Sequence, residues 1–590
     1  MRFIRRFGWI IFCGLLFPAL LTAQNTEKES GSVHGNFQID GQYYNADSLI
    51  GAPKVSEKWL SNAFGNILYT QNKFSAGIRY ESYNNVMQGF DSRYKGQGIT
   101  NRFVRYRDEL LDITVGNIYE QFGNGLIFRT YYEPGLLYDN SLDGISVVSN
   151  PIKGITLKGL MGKQRSFFST GPGIVRGCDG EVALNDVFDS LTQHWKTRIN
   201  VGFSFVSKFQ SDEDPDFILP ENVGAYSGRL LVNSGDFTFS GEYAQKENDP
   251  SATNKVQVGN STYYSYKKGE ALFLSASYAK SGYSFLLQAK HIDNMDYRSD
   301  RNAGLQNLLI NYLPATTRQH TYLMLAFNPY ATQPLGETGG MAEFQYKFKK
   351  GTFLGGAYGT DVTFNYAYAA GLKKTPVDDS TTHLTLYKTN YTDLGKEYYH
   401  DFFIEVNKKF SPQWKGTFIY ANQFYNRNIV QFGSPFAGYQ DISADILVAD
   451  LTWKYRTGSA LRMEGQAFLT QNKSNPNAGS WATGLLEWTP QRHFFIALLD
   501  QYNYSNPEAE KITSAFKQNA ITELFDQVGL DSWRGALNLH YFLLSTGYTK
   551  GSNRIALNFG KQRAGIFCVG GVCRNVPASN GVSISITSSF

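Results

Sequence analysis

Hydrophobic and polar positions alternate along much of the chain. In Ala342-Glu343-Phe344-Gln345-Tyr346-Lys347-Phe348-Lys349, Ala, Phe, Tyr and Phe fall on one face of a pleated ribbon, and Glu, Gln, Lys and Lys on the other. Ala449-Asp450-Leu451-Thr452-Trp453-Lys454-Tyr455 and Leu461-Arg462-Met463-Glu464-Gly465-Gln466-Ala467 repeat the pattern; Phe402-Phe403-Ile404-Glu405-Val406-Asn407 follows it less cleanly. A period of two predicts strands. Their connections fall into two classes. Ser411-Pro412-Gln413, Lys349-Lys350-Gly351, Thr457-Gly458-Ser459, Thr489-Pro490-Gln491-Arg492 and Lys550-Gly551-Ser552 are short turns. Longer polar loops occupy about 248–266, 372–396, 427–443, 471–479, 505–533 and 568–579, and from about 397 onward the two classes alternate. Short periplasmic turns and long extracellular loops are the rule of membrane barrels. The pattern predicts an all-β fold, a single large transmembrane antiparallel β-barrel of about 26 strands, an even number between about 22 and 26. Strands starting near 304 and 319 are part of that count.

Composition bears on the choice between a barrel and a soluble β-protein. The 590-residue chain has a negative mean hydropathy of −0.33, which suits either. Aromatics reach 15%, with 38 Tyr and 43 Phe, and aromatic girdles at two membrane interfaces call for that excess. Past the N-terminal segment, no apolar run is long enough for a membrane helix.

The ends agree with export. Met1-Arg2-Phe3-Ile4-Arg5-Arg6 is basic, an apolar run extends from about Phe7 to Leu21, and Thr22-Ala23-Gln24 follows. The expected division is a signal peptide at 1–23 and a barrel at 24–590 in the outer membrane of a Gram-negative bacterium. The apolar run is shorter than the roughly 20 residues of a membrane span, and Pro18 interrupts it. At the other end, Val582, Ile584, Ile586 and Phe590 share one face of a strand. A last strand closing on Phe590 resembles the C-terminal signal that barrel-assembly machinery reads. Loss of Arg2, Arg5 and Arg6 takes the formal net charge from +5 to +2, which gives no reason to propose nucleic acid.

Cys568 and Cys573 flank Val569-Gly570-Gly571-Val572, a spacing that closes as a hairpin-loop disulfide in an exported protein. A metal site would need more ligands, and no His lies nearby. Cys178 is expected to be small, buried and unpaired. Asn506-Pro507-Glu508 opens a stretch through Phe525 that reads helical, with Asn506 as N-cap.

Residues 112–149 are the most unusual. After the strand Asp112-Ile113-Thr114-Val115-Gly116-Asn117, a glycine- and aromatic-rich loop carries charges of both signs. It is too apolar to trail in water, so an inward fold at about 119–140 is expected. Glu120, Arg129, Glu133, Asp139 and Asp143 would then form a polar pore constriction that selects solutes by size and charge. This resembles, in outline, the constriction of porins that carry acidic sugars or small anions. The blander reading has these charges paired within the loop, bracing a water-filled barrel. The eight histidines are scattered, and none falls in a nucleophile or metal motif. No enzymatic activity, cofactor or metal is expected.

The stretch Gly560-Lys561-Gln562-Arg563-Ala564-Gly565-Ile566-Phe567-Cys568-Val569-Gly570-Gly571-Val572-Cys573-Arg574-Asn575-Val576-Pro577-Ala578 resembles the closing hairpin of an uncharacterised outer-membrane family of Bacteroidetes. Gly116-Asn117-Ile118-Tyr119-Glu120-Gln121-Phe122-Gly123 and Asp139-Asn140-Ser141-Leu142-Asp143-Gly144 are similar to that family too. The resemblance implies compartment and fold, and supplies no activity. Two functions fit: a porin-like or exporter-like channel constricted by the internal loop, or a non-transporting scaffold that docks a surface lipoprotein or partner barrel. The expected partners are outer-membrane lipids and the barrel-assembly machinery.

Overall fold

The computed structural model describes residues 31–258, 261–378, 386–433, 437–471, 479–505, 539–569 and 572–590. The expected signal peptide at 1–23 and the expected helix at 506–525 lie outside the described residues. Twenty-four antiparallel strands form one sheet. Each pairs with its neighbours in chain order, and Ser32–Asn45 pairs with both Trp59–Gln71 and the last strand, Ser579–Ser589. The sheet therefore closes on itself. Closure removes free edges and satisfies every ladder position, which hydrocarbon demands of a spanning sheet.

One end of the barrel carries tight turns, such as Asn72-Lys73, Lys153-Gly154, Gly235-Asp236 and Gly551-Ser552. The start of the first strand at Ser32 and the last residue, Phe590, lie at this end, and backbone bonds join Gly35 and Phe590 in both directions at 2.9 Å. The other end carries the long connections, including 119–141, 294–336 and the cysteine hairpin. Three connections break the pattern, one of them the eleven-residue turn-end connection 349–359, where the sequence predicts a short turn at Lys349-Lys350-Gly351. Phe167-Phe168 is tight at the long-loop end, and 184–196 carries the short helices Leu184–Val187 and Asp189–Thr192 at the turn end.

The sheet holds two strands fewer than the expected 26. The residues read as strands from about 304 and 319 instead belong to the single connection 294–336. Asn294, Leu305 and Leu308 take φ of +52°, +54° and +55°, which no strand residue adopts. The segment resembles strand sequence because its apolar residues are buried, but they are buried on several sides rather than on one face.

The two faces of the wall meet different solvents. Phe37, Ile39, Leu447, Leu486, Leu498 and Leu557 point outward and are exposed. Trp453, Tyr455 and Trp488 ring the turn end; Tyr43, Trp59, Tyr80, Tyr226 and Tyr243 ring the other. Inward, Arg462 pairs with Asp450 at 3.0 Å and also with Glu464. An apolar band with two aromatic girdles outside and a polar lumen inside is the arrangement of a barrel in a bilayer. Cys178 corrects its expectation. It is free and exposed, because Ser169–Ala183 turns Val175, Gly177 and Asp179 inward and Arg176 and Cys178 outward.

Candidate functional site: a septum across the lumen

Two loops, 119–141 and 294–336, fold into the long-loop half of the described lumen and pack on its wall. A closed 24-stranded sheet with strands 4.8 Å apart and tilted by about 40° is roughly 45–50 Å across if circular. Loop 119–141 must leave and return to adjacent strands, so its reach is at most about 40 Å; loop 294–336 reaches about 70 Å. Only the second is long enough to cross.

Loop 119–141 seats its apolar tip in a pocket of the wall. Gly123 and Gly125, at φ +52° and +91°, fold the chain so that Gly125 N donates to Phe122 O and Phe122 N to Phe128 O. Phe122, Leu126, Ile127 and Phe128 are then fully buried. They join one buried cluster with side chains from nine wall strands, among them Leu160, Val175, Val206, Ala225, Ala244 and Ile292. Small residues make the room: a Cβ at Gly177 would stand 2.8 Å from the Phe122 ring. Asn124 donates from its backbone and its side chain to Glu242 Oε2, at 2.6 and 2.9 Å.

The second loop locks onto the first and continues across. Arg129 N donates to Ile310 O, and Tyr312 N to Gly125 O. Asn140 Nδ2 bridges Arg129 O and Leu309 O, both at 3.0 Å. Farther on, Arg318 meets Glu343 at 3.2 Å, His320 Nε2 meets Asp401 Oδ2 at 2.6 Å, and Tyr322 donates to Asp450 at 3.1 Å. Met324 N donates to Gln466 Oε1 at 2.8 Å, and Met324 and Leu325 enter a second buried cluster with Phe403, Ile446, Phe468 and Trp481. Arg563 lies over the Phe327 ring at 3.6 Å, and burial pushes its pKa down to about 10. Below this layer the interior is polar and open. His34, Arg198, Lys454 and Arg554 point inward near the turn end and are exposed.

A buried four-charge cluster ties the first loop to the wall. Glu81 accepts from Arg79 Nε at 2.7 Å and from Arg165 NH2 at 2.6 Å. Asp139 pairs with Arg165 at 2.7 Å and with Arg79. Tyr119 and Tyr83 hydroxyls donate to Asp139 and Glu81, and the Arg79 guanidinium stacks on Tyr132 at 3.9 Å. The four side chains are 1–6% exposed. Two acids and two bases balance, as burial requires. Burial alone would raise the Asp139 pKa; Arg165 and Arg79 outweigh it and hold the carboxyl below its usual value.

The five charges read from the sequence as one constriction are not brought together. Asp139 sits in the buried cluster. Glu120 accepts from Lys158 Nζ at 3.0 Å on the wall. Arg129 is stacked between Tyr131 and Tyr312, at 4.4 and 4.1 Å. Glu133 caps the turn Pro134–Leu136 by accepting from Gly135 N. Asp143 is a correction: it shares the outward face of its strand with exposed Ile145 and accepts from Arg102 on the outside of the barrel. Sequence reading missed the wall partners Arg79, Glu81 and Arg165 and the whole second loop. The signal for Arg79 and Glu81 was parity, since both alternate with the outward Ile78 and Tyr80.

Above the septum, the mouth holds a cavity of about 720 Å³ lined by Phe90, Tyr94, Tyr131, Tyr138, Tyr312 and Arg574, among others. The hairpin Gly565–Val569 and Val572–Val576 forms part of its rim, closed by the Cys568–Cys573 disulfide. Gln319 of the septum donates to Cys568 O at 3.1 Å. Among the described residues, no cluster of three or more metal-ligating side chains occurs.

Fold and lumen together define a closed, bilayer-compatible β-barrel whose interior is crossed by its own loops. The chain belongs to a family of unknown function, DUF6029, whose model matches residues 7–590. No curated protein matches it. Among solved structures it is similar to the siderophore receptor PirA from Pseudomonas aeruginosa, at 10% identity and a TM-score of 0.37, covering 96% of this chain and 82% of that one. It is also similar to the translocation pore of the P pilus usher PapC, at 9% identity and a TM-score of 0.40, covering 95% and 99%. The outer membrane protein OpdK from Pseudomonas aeruginosa matches at 12% identity and a TM-score of 0.33, covering 74% and 96%. Likeness at this level says nothing of activity.

Proposed function

We propose that the chain is a gated outer-membrane channel, held closed by the septum of loops 119–141 and 294–336. On this reading residues 1–23 direct export, Phe590 is read by the barrel-assembly machinery, and the apolar band sits among outer-membrane lipids. The observation that carries it is the buried cluster of Arg79, Glu81, Asp139 and Arg165. A barrel that served only as a scaffold could fill its lumen with apolar side chains. A neutral but charged clamp fixes one register and gives way at a few contacts, which suits a gate. The aromatic vestibule above it is where a solute would meet the septum.

Planar-bilayer recording tests this. The full chain should conduct rarely, and removal of residues 120–140 should produce large, frequent openings. A deletion variant that inserts as a barrel and stays silent would overturn the channel reading and leave the scaffold. A full chain that already conducts as widely as the deletion would overturn the gate.

A further inference from the structure

Four consecutive strands of the wall break the rule that the others keep. Leu111–Ile118, Leu142–Ile152, Ile155–Ser166 and Ser169–Ala183 contain no Phe, Tyr or Trp. Every other strand but the last carries at least one. The outward face of these four is aliphatic and free of rings: Val115, Ile145, Leu157, Met161 and Cys178, with gaps at Gly159 and Gly180. An added Cβ at Gly159 would meet nothing within 4 Å.

Charge stands where the girdle is missing. Outward positions can be read from the ladder. Asp143 is paired with Lys163, and Met161, its outward neighbour two residues back, with Arg176. Lys163 and Arg176 are therefore diagonal neighbours on one face, and both are exposed. From the adjoining strand Gly96–Arg107, Arg102 reaches Asp143 at 2.9 Å, with 60% of its side chain exposed. Three cations and one acid leave a net charge of +2 on a surface otherwise met by hydrocarbon. An isolated cation there is costly at the bilayer midplane, and less so toward the interfaces. Leu142 is the first residue of its strand at the long-loop end, so Asp143 and Lys163 lie on the side of the outer leaflet. At the turn end of the same wall, connection 184–196 exposes Phe188, Leu191 and Trp195, which supplies aromatic anchoring there.

We propose that Lys163 and Arg176, steadied by the Arg102–Asp143 pair, bind the phosphate groups of a phosphorylated lipid in the outer leaflet. The smooth, aromatic-free wall beneath them receives its acyl chains. Phosphate offers anionic oxygens to both donors, and a lipid with two phosphates matches the net charge. The inference rests on the wall facing a bilayer but not on the barrel conducting.

Native mass spectrometry of the full chain in detergent, titrated with bisphosphorylated lipid A, tests it. The Lys163→Gln/Arg176→Gln double variant should bind at least tenfold more weakly. Lys163→Arg/Arg176→Lys should keep wild-type binding, and heat-modifiable migration on gels would confirm that each variant forms a barrel. Excess inorganic phosphate should not displace the lipid. Equal binding by wild type and the Gln pair would overturn the proposal, as would displacement by inorganic phosphate. So would efficient disulfide cross-linking of Cys178 between two copies in membranes, because a second copy, rather than lipid, would then cover this face.

Discussion

Replacement of Asp139 by alanine should open the barrel without unfolding it. In the native cluster Arg79 and Arg165 share two carboxylates, and every side chain is at most 6% exposed. Asp139→Ala leaves two buried guanidinium groups with Glu81 alone. Breaking a buried pair by removing one partner costs about 3–5 kcal/mol. The strands that carry Arg79 and Arg165 are paired with wall strands on both sides, with local register breaks at Arg79 and between Thr170 and Ile174, so the loop that carried Asp139 absorbs the loss. Divided by about 1.4 kcal/mol per decade, the cost shifts loop docking by roughly a hundredfold to a few thousandfold. Single-channel recording in planar bilayers should therefore show openings at least a hundred times more frequent than in the parent. Asp139→Leu combined with Arg79→Met should recover much of the closure, because an apolar replacement removes the unpaired charge together with its partner. Heat-modifiable migration on gels would confirm that each variant forms a barrel. If a correctly folded Asp139→Ala barrel opened no more often than the parent, the cluster would not hold the septum.

Acid should act on the same contact. With its pKa held below the ordinary carboxylate value by Arg165 and Arg79 against the opposing effect of burial, Asp139 favours docking fully above the undocked value of about 3.9. That contribution is lost as pH falls through the lower docked value, so closure should persist from neutral pH down to about 4 and fail below it. Opening midway between pH 5 and 6 in bilayers would contradict this. Gly177→Val should push Phe122 from its seat, where a Cβ already stands 2.8 Å from the ring, and weaken docking by about 1–3 kcal/mol; faster proteolysis of loop 119–141 is the readout. Leu486→Arg places a cation in the middle of the outward band and should destabilise the barrel by about 2–4 kcal/mol in urea unfolding from lipid vesicles. A neutral result there would mean that this face does not meet hydrocarbon.

The wall was legible in the sequence because its two faces answer to two solvents. Phe344 and Tyr346 point outward and are exposed, while Glu343, just before Phe344, meets Arg318 inside. Alternation alone delivers that. Parity also carried information that was not used. Asp143 stands two residues from Ile145 and Cys178 two from Arg176, so both belong outside. The septum was not legible, for a physical reason. Leu308, Ile310, Met324 and Leu325 are buried among partners drawn from distant strands, as in a soluble core. Such residues give the apolar density of a strand without naming the surface that covers them. The ion cluster shared this obscurity, since Arg79, Asp139 and Arg165 come from three separate stretches of chain.

A closed ladder constrains how such a barrel can open. No strand can part from its neighbour without exposing backbone groups to hydrocarbon, so movement belongs to the loops. The two loops are not equally held. Loop 119–141 has four fully buried apolar side chains, two bonds to Glu242 and the charged clamp. The far reach of loop 294–336 is held by more dispersed contacts: Arg318, His320, Tyr322 and Met324 each meet the wall, and Met324, Leu325 and Phe327 pack into the second apolar cluster. It also touches the cysteine hairpin at the rim through Gln319, so a ligand in the vestibule has a direct path to it. Release of the charged clamp therefore frees the lumen on the side of loop 119–141, while a ligand that acts through Gln319 loosens the opposite side.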